Sequence, residues 1–504
     1  MISASRRTAL PATLLIPAVL AGLASLAPLA YLIDVALDRG LVYVWDEIWR
    51  ERTMRLVVRS LALAVTVTAM CLFIAVPAAW AVTRTTLRGR HIWRVVLALP
   101  LAIPSYLAAF AWVSWRPSLA GFWGAFLVLT IASYPYIFLP VTAAFSRLDP
   151  ALDELAAIHH RGGVVRLILF SAQQTRSSIA AGALLVALYV LSDFGAVATM
   201  RFDAFTWVIY GAYRAGFNPS RAAVLALLLI ILALMLIAAE ALVRGRSVAT
   251  MNPRAVNHPI RIRLGASEIV FQVALGLVVA VSLAFPIWRV LQWVTRYGSD
   301  QDIGDVGIAL WGSLRYSFVA ALVTVILALP IGLLAGKYRS RTASVIAGST
   351  YVTHALPGVV VAISMVFIGV RFLPSWYLEA PLLVLAYVAL FLPLAVGGIR
   401  AIVAQIPPTL DDVARSLGST PLQTVRRVSL PLIVPGIAAS SALVLLAAMK
   451  ELPVTMLLRP TGTETLATRL WTQTTVSDYA AAGPYALALI IFVALPTALA
   501  TIRS

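Results

Sequence analysis

Two acids sit where an acid is expensive. Asp193, in Leu191-Ser192-Asp193-Phe194-Gly195, and Glu451, in Met449-Lys450-Glu451-Leu452-Pro453, each follow a long apolar run. A charged side chain at membrane depth costs about 2.5–3.5 kcal/mol on insertion scales, so such residues face protein or a water-filled cavity and are functional candidates by default. The two lie 258 positions apart, a spacing that recurs elsewhere in the chain. Carboxylate oxygens suit hard metal cations. An acidic pair lining a path, with Phe194 and Lys450 beside it, therefore offers transient contacts to a cationic cargo, and no resident metal site is assigned. On a second reading each acid is neutralised by a nearby base, Glu451 by Lys450 or Arg459, and fixes a helix end. Both readings stand at this point.

Other chemistry is not encoded. The five histidines are His91, His159, His160, His258 and His354, and none has metal-ligand spacing to another His, Cys or carboxylate. The single cysteine, Cys71, lies inside an apolar run and reads as a small packing residue. There is no Walker A sequence and no nucleophile with a base in the apolar runs. An enzyme is therefore not expected, nor a cofactor held by this chain.

The elements that must position these acids are membrane spans. Of the 504 residues 61% are hydrophobic and 12% charged, with a mean hydropathy of +0.92; soluble domains carry about 25% charged residues. Runs long enough for a bilayer cover about 9–33, 56–82, 95–115, 121–146, 178–200, 219–243, 266–290, 311–336, 344–371, 379–399, 434–458 and 478–501. Arg6-Arg7 before the first run imitates a secretory signal, but the run is too long for one and reads as a retained helix. The net charge of +18 is concentrated in short loops, chiefly 84–94, 244–263 and 337–341. By the positive-inside rule those loops and both termini are expected in the cytoplasm. That distribution also argues against nucleic acid as a partner.

The chain repeats itself. A shift of 253 pairs Ser60 with Ser313, Pro77 with Pro330, Pro104 with Pro357, Tyr134 with Tyr387, and Phe138-Leu139-Pro140 with Phe391-Leu392-Pro393. Matching prolines inside spans carry weight because each removes a backbone hydrogen bond that lipid cannot replace. Six spans per half give both halves one orientation, related by a pseudo-twofold axis along the membrane normal. The expected organisation is a first half at 1–243, a cytoplasmic linker at 244–265 and a second half at 266–504.

Between apolar runs on the cytoplasmic side lies Asp411-Asp412-Val413-Ala414-Arg415-Ser416-Leu417-Gly418, continuing to Leu430-Pro431. Asp153-Glu154-Leu155-Ala156-Ala157 opens a similar segment in the first half, and Ile179-Ala180-Ala181 matches Ile437-Ala438-Ala439 at the 258 shift. The first copy is degenerate, with His160 in place of Gly418 and Ala172-Gln173 in place of Leu430-Pro431. Acid, Ala, Gly and Leu-Pro at these spacings resemble the coupling loop of ABC importer permeases. Met456-Leu457-Leu458-Arg459-Pro460, Glu464-Thr465-Leu466-Ala467-Thr468-Arg469, Asp193-Phe194-Gly195 and Phe205-Thr206 resemble the iron(III)-transport group of that family, as a fused two-half permease.

The resemblance implies an all-α polytopic membrane protein of about twelve spans in two parallel six-helix repeats, with the type I importer (MetI-like) fold. It implies coupling loops at about 149–177 and 401–432, using Asp153, Glu154, Ala156 and Ala157 in one and Asp411, Asp412, Ala414, Gly418, Leu430 and Pro431 in the other. It further implies a bacterial inner-membrane location, a separate ATPase dimer carrying ATP and Mg, a periplasmic or lipid-anchored binding protein, and lipid around the spans. Ferric iron is the expected cargo. Thiamine, polyamine, phosphonate and oxyanion importers are the alternatives within the family, and a secondary transporter is the alternative outside it.

Overall fold

The computed structural model describes residues 10–148, 164–214, 218–244, 262–296, 303–338, 340–354 and 356–503. Helices dominate throughout. The first half contributes α1 (Ala12–Leu37), α2 (Gly40–Trp49), α3 (Glu51–Arg84), α4 (Arg90–Val96), α5 (Ser105–Trp115), α6 (Phe122–Ser133), α7 (Pro135–Phe145), α8 (Val164–Gln174), α9 (Arg176–Ser192), α10 (Gly195–Thr199), α11 (Phe205–Arg214) and α12 (Pro219–Arg244). The second half follows with α13 (Ser267–Val279), α14 (Phe285–Arg296), α15 (Ile303–Lys337), α16 (Arg341–His354), α17 (Gly358–Phe372), α18 (Ala380–Val403), α19 (Pro408–Ser416), α20 (Pro421–Thr424), α21 (Leu430–Met449), α22 (Pro453–Leu458), α23 (Leu466–Thr475) and α24 (Tyr479–Arg503).

Among the described residues, eight helical stretches are long and apolar enough to cross a membrane, two more are sharply bent pairs, and two are shorter apolar helices. Each of the twelve expected runs falls on one of these. Several are not straight. The run at 95–115 turns by 88° between residues 102 and 105, where Pro104 forces Ile103 out of the helical region to φ −86°, ψ 117°. Leu356-Pro357 separates α16 from α17 at the repeat-related place. A second 85° bend lies between α8 and α9. Pro135 opens α7 after a break at Tyr134, whereas its counterpart at the 253 shift is Val388 and α18 runs through unbroken.

Packing regroups the halves into two compact units. One comprises Met1–Trp45, Ile209–Leu227 and Gln301–Val476; the other comprises Asp46–Val208, Leu228–Asp300 and Ser477–Ser504. Each unit thus takes its first membrane helix from the other half of the sequence. In the first unit Ala18 and Ala21 of α1 join a core with Ile346 and Ala347 of α16, Val325 and Ala328 of α15, and Val396 and Ile399 of α18. Lipid removes the hydrophobic drive between helices, so close packing through small residues takes its place. A Cβ on Gly332 would stand 2.6 Å from Ile399 Cγ2, and one on Gly336 2.5 Å from Val403 Cγ1. In the second unit α14 packs on α5, with Phe285 stacked on Trp112 at 4.0 Å and Arg289 Nη2 donating to Ser114 Oγ at 3.1 Å. Trp293 of α14 meets Tyr479 of α24 at 5.1 Å.

Ile262, near the end of the expected linker, is tied down within the second unit. Ile262 N–H donates to the Arg84 carbonyl at 2.9 Å, and Thr86 N–H donates to the Ile262 carbonyl at 3.1 Å. Glu268 Oε1 accepts from Arg88 N–H at 2.9 Å.

Candidate functional site

Asp193 stands at a helix break. α9 stops at Ser192, Asp193 is extended at φ −67°, ψ 128°, and α10 restarts at Gly195. A broken helix leaves backbone groups that lipid cannot satisfy, and the aspartate supplies an acceptor. Its Oδ1 accepts from Ala196 N–H at 2.8 Å, and its Oδ2 accepts from the Ser105 hydroxyl. Its carbonyl accepts from Thr206 Oγ1 at 2.6 Å. Asp193 and Phe194 are both buried, and Phe194 stacks obliquely on Trp207 at 6.0 Å. The carboxylate therefore joins three segments: the end of α9, the start of α5 after Pro104, and the first turn of α10. A Cβ on Gly195 would approach Tyr106 Cβ to 2.6 Å, so α10 lies directly on α5.

Glu451 occupies the same place in the other unit. α21 ends at Met449 and α22 begins at Pro453. Glu451 Oε1 accepts from Val454 N–H at 3.4 Å, and the Glu451 carbonyl accepts from Thr455 Oγ1 at 2.5 Å. Thr455 Oγ1 also meets the Tyr387 hydroxyl at 2.5 Å. The carboxylate lies over Gly358, the first residue of α17, where an added Cβ would stand 2.5 Å from Oε1. Lys450 and Glu451 are half-buried. Arg459 donates to Glu464 and, at 3.2 Å, to the Thr463 carbonyl, with Arg469 Nε 3.7 Å from the same glutamate. The stretch 464–469 thus closes on itself, and Thr465 with Thr468 forms the capping box that starts α23.

The second segment read as a coupling loop from the sequence lies in the first unit. Asp411, Asp412 and Ala414 fall on α19, whose end is a Schellman closure: Gly418 has φ +84°, and Ser419 N–H donates to the Ala414 carbonyl at 3.0 Å. Nothing lies within 4 Å of a Cβ built on Gly418. Glycine is therefore required there by the left-handed conformation and not by close approach within the chain. Thr420 and Gln423 then cap one another, Gln423 N–H to Thr420 Oγ1 at 3.3 Å and Thr420 N–H to Gln423 Oε1 at 2.9 Å, with Pro421 as first helical residue. Pro431 does not stand at the first position of the next helix. It follows a π-helical turn at Val425–Ser429 and sits second in α21, the wider turn making room for a ring that would clash with a regular preceding turn. Ala414 is buried, whereas Val413 and Leu417 are 57% and 81% exposed. Of the first copy, Asp153, Glu154, Ala156, Ala157 and His160 lie outside the described residues.

Several partners escaped the sequence reading. Ser105 and Gly358 are repeat-related at the 253 shift but differ in type, so residue matching passed over them. Ser60 and Ser313 did match, without a role; each accepts the first N–H of a short helix, Phe205 N–H at 3.3 Å and Leu466 N–H at 2.8 Å. Among the described residues no group of three or more His, Cys, Asp or Glu could hold a metal ion.

Comparison with known proteins agrees with this architecture. Residues 328–502 match the family described as "Binding-protein-dependent transport system inner membrane component". The Fe(3+)-transport system permease protein FbpB 2 of Haemophilus influenzae is 32% identical over 96% of this chain and 96% of its own length. A putative 2-aminoethylphosphonate transport system permease protein, PhnV of Salmonella typhimurium, is 26% identical over 33% of this chain and 63% of its own. The D-methionine transport system permease protein MetI of Yersinia pestis is 28% identical over 27% and 66%. The chain belongs to the inner-membrane components of binding-protein-dependent transport systems, as a fused permease of two repeated halves.

Proposed function

We propose that this chain is the membrane subunit of an ATP-driven importer that receives ferric iron from a binding protein and releases it inward by alternating access. The observation that carries the cargo is the relationship to the Haemophilus ferric permease over nearly the full length of both chains. ATP and Mg belong to a separate ATPase dimer in this reading, because the chain has no Walker A sequence. α19 and the turn after it support the coupling role: they expose apolar Val413 and Leu417 beside a fixed Gly418 turn, a surface suited to a groove on a partner. The helix breaks at Asp193-Phe194 and Lys450-Glu451 support a path, since non-helical backbone at membrane depth is tolerated where it is buried in protein or lines a cavity. Protein donors engage each Asp193 carboxylate oxygen once, which favours a positioning role for it over contact with the cargo.

Vesicles containing this chain with its ATPase, supplied with iron-loaded binding protein, test the reading. Labelled ferric iron should accumulate with ATP inside the ATPase compartment and not with an ion gradient alone. Thiamine and 2-aminoethylphosphonate should not compete. Gradient-driven uptake without ATP would place the chain among secondary transporters. Both termini are assigned to the cytoplasm, so cysteines at Ser5 and Ser504 in a Cys71→Ala background should be shielded from an impermeant thiol reagent in intact cells. Labelling from outside would reverse the orientation.

A further inference from the structure

We propose that Asp193 with Ser105, and Glu451 with Gly358, are two size-matched versions of one latch that sets the helix break, and that both acids are positioning residues rather than contacts for the cargo. The backbone frame is the same in both units. Pro104 and Pro357 have φ, ψ of −58°, 142° and −60°, 147°, and Phe194 and Leu452 have −103°, −44° and −102°, −55°. The donor is the same too. Each carboxylate accepts the N–H three residues on, Ala196 or Val454, at positions related by the 258 shift.

What differs is how the gap to the facing helix is filled. Asp193 is short, and Ser105 reaches it with a hydroxyl. Glu451 is one methylene longer, and Gly358 has no side chain; a Cβ there would stand 2.5 Å from the carboxylate. The longer acid fills the space that a side chain at 358 would take, and the shorter acid is met by a hydroxyl at 105, so the residue types at 105 and 358 complement the acids opposite them in size. A cargo ligand carries no such constraint on its neighbour. The latch also has no need of charge: an asparagine at 193 still accepts from Ala196 N–H through its oxygen and can donate to the Ser105 hydroxyl through its amide.

The test exchanges the two latches. Asp193→Glu and Ser105→Gly singly, then together, and Glu451→Asp and Gly358→Ser singly, then together, are purified for thermal unfolding in detergent and reconstituted for ferric uptake. Uptake as a readout rests on the importer reading; the unfolding midpoint does not, so the latch is judged on midpoints even where no variant and no wild type transports iron. Each single change is expected to lower the midpoint by a few degrees and uptake several-fold, and each double to restore both, with Asp193→Asn close to wild type in both. Doubles no better than the worse single, singles without effect, or an Asp193→Asn protein that keeps its midpoint and loses uptake would overturn the proposal.

Discussion

Around Pro104 and Pro357 the two halves hold their backbones within a few degrees of each other, while the side chains that fix them differ: aspartate with serine on one side, glutamate with glycine on the other. The segments read as coupling loops differ in residue type as well. The second has Gly418 at φ +84° closing α19, and the first has His160 at the matching position. The difference teaches that at Pro104 and Pro357 what repeats is the backbone break and the hydrogen bonds that satisfy it, whereas the break at Pro135 is confined to the first half. Residue identity survives where one chemistry alone works, as with proline at a break or serine under a helix start. It drifts where two residues share a volume, because one can shrink as the other grows.

The largest expected effect on uptake lies in the segments read as coupling loops. Gly418→Asp places a Cβ in a left-handed conformation, a strain of about 1–2 kcal/mol for residues other than glycine, somewhat relieved for Asp, and puts a charge beside exposed Leu417. Uptake in vesicles should fall about tenfold, equivalent to about 1.4 kcal/mol of lost coupling, with basal ATP hydrolysis retained. His160→Asp should be milder; an equal loss would break the comparison. The paired serines are expected to act on stability rather than on uptake. Ser313→Ala and Ser60→Ala each leave a buried N–H without its acceptor, a cost of about 1–3 kcal/mol. The 2.8 Å bond from Leu466 should place Ser313→Ala near the top of that range and the 3.3 Å bond from Phe205 should place Ser60→Ala near the bottom. Thermal unfolding of the two variants compares them, and a greater loss at Ser60 would reverse the ranking of the halves.

The spans and their repeat were legible because a bilayer imposes them: about twenty apolar residues per crossing, charge sorted to one side, and prolines that must be accommodated wherever they occur. The breaks were half legible. Pro104 and Pro357 were visible as a pair, but a window average of hydropathy cannot tell a straight span from one bent by 88°. The exchange of first helices between the compact units left no trace in the sequence, since α1 and α13 are apolar on most faces and neither pattern names a neighbour. At the site, the acids stood out because charge in an apolar run is rare. Their partners did not, because a serine and a glycine in such runs are ordinary. The turn after α19 was legible at Gly418, whereas the reciprocal Thr420-Gln423 cap was overlooked although its spacing was in plain view.

The central claim is that a separate ATPase drives this permease mainly through its second coupling segment, and cross-linking measures that contact directly. Cysteines are placed one at a time at Leu417 and at His159, its counterpart at the 258 shift, in a Cys71→Ala chain assembled with an ATPase that carries a single engineered cysteine in its docking groove. The account predicts a strong adduct from position 417, a yield that changes when ATP is bound, and a weaker adduct from 159. No adduct at 417, or one from 159 that equals or exceeds it, would contradict the account.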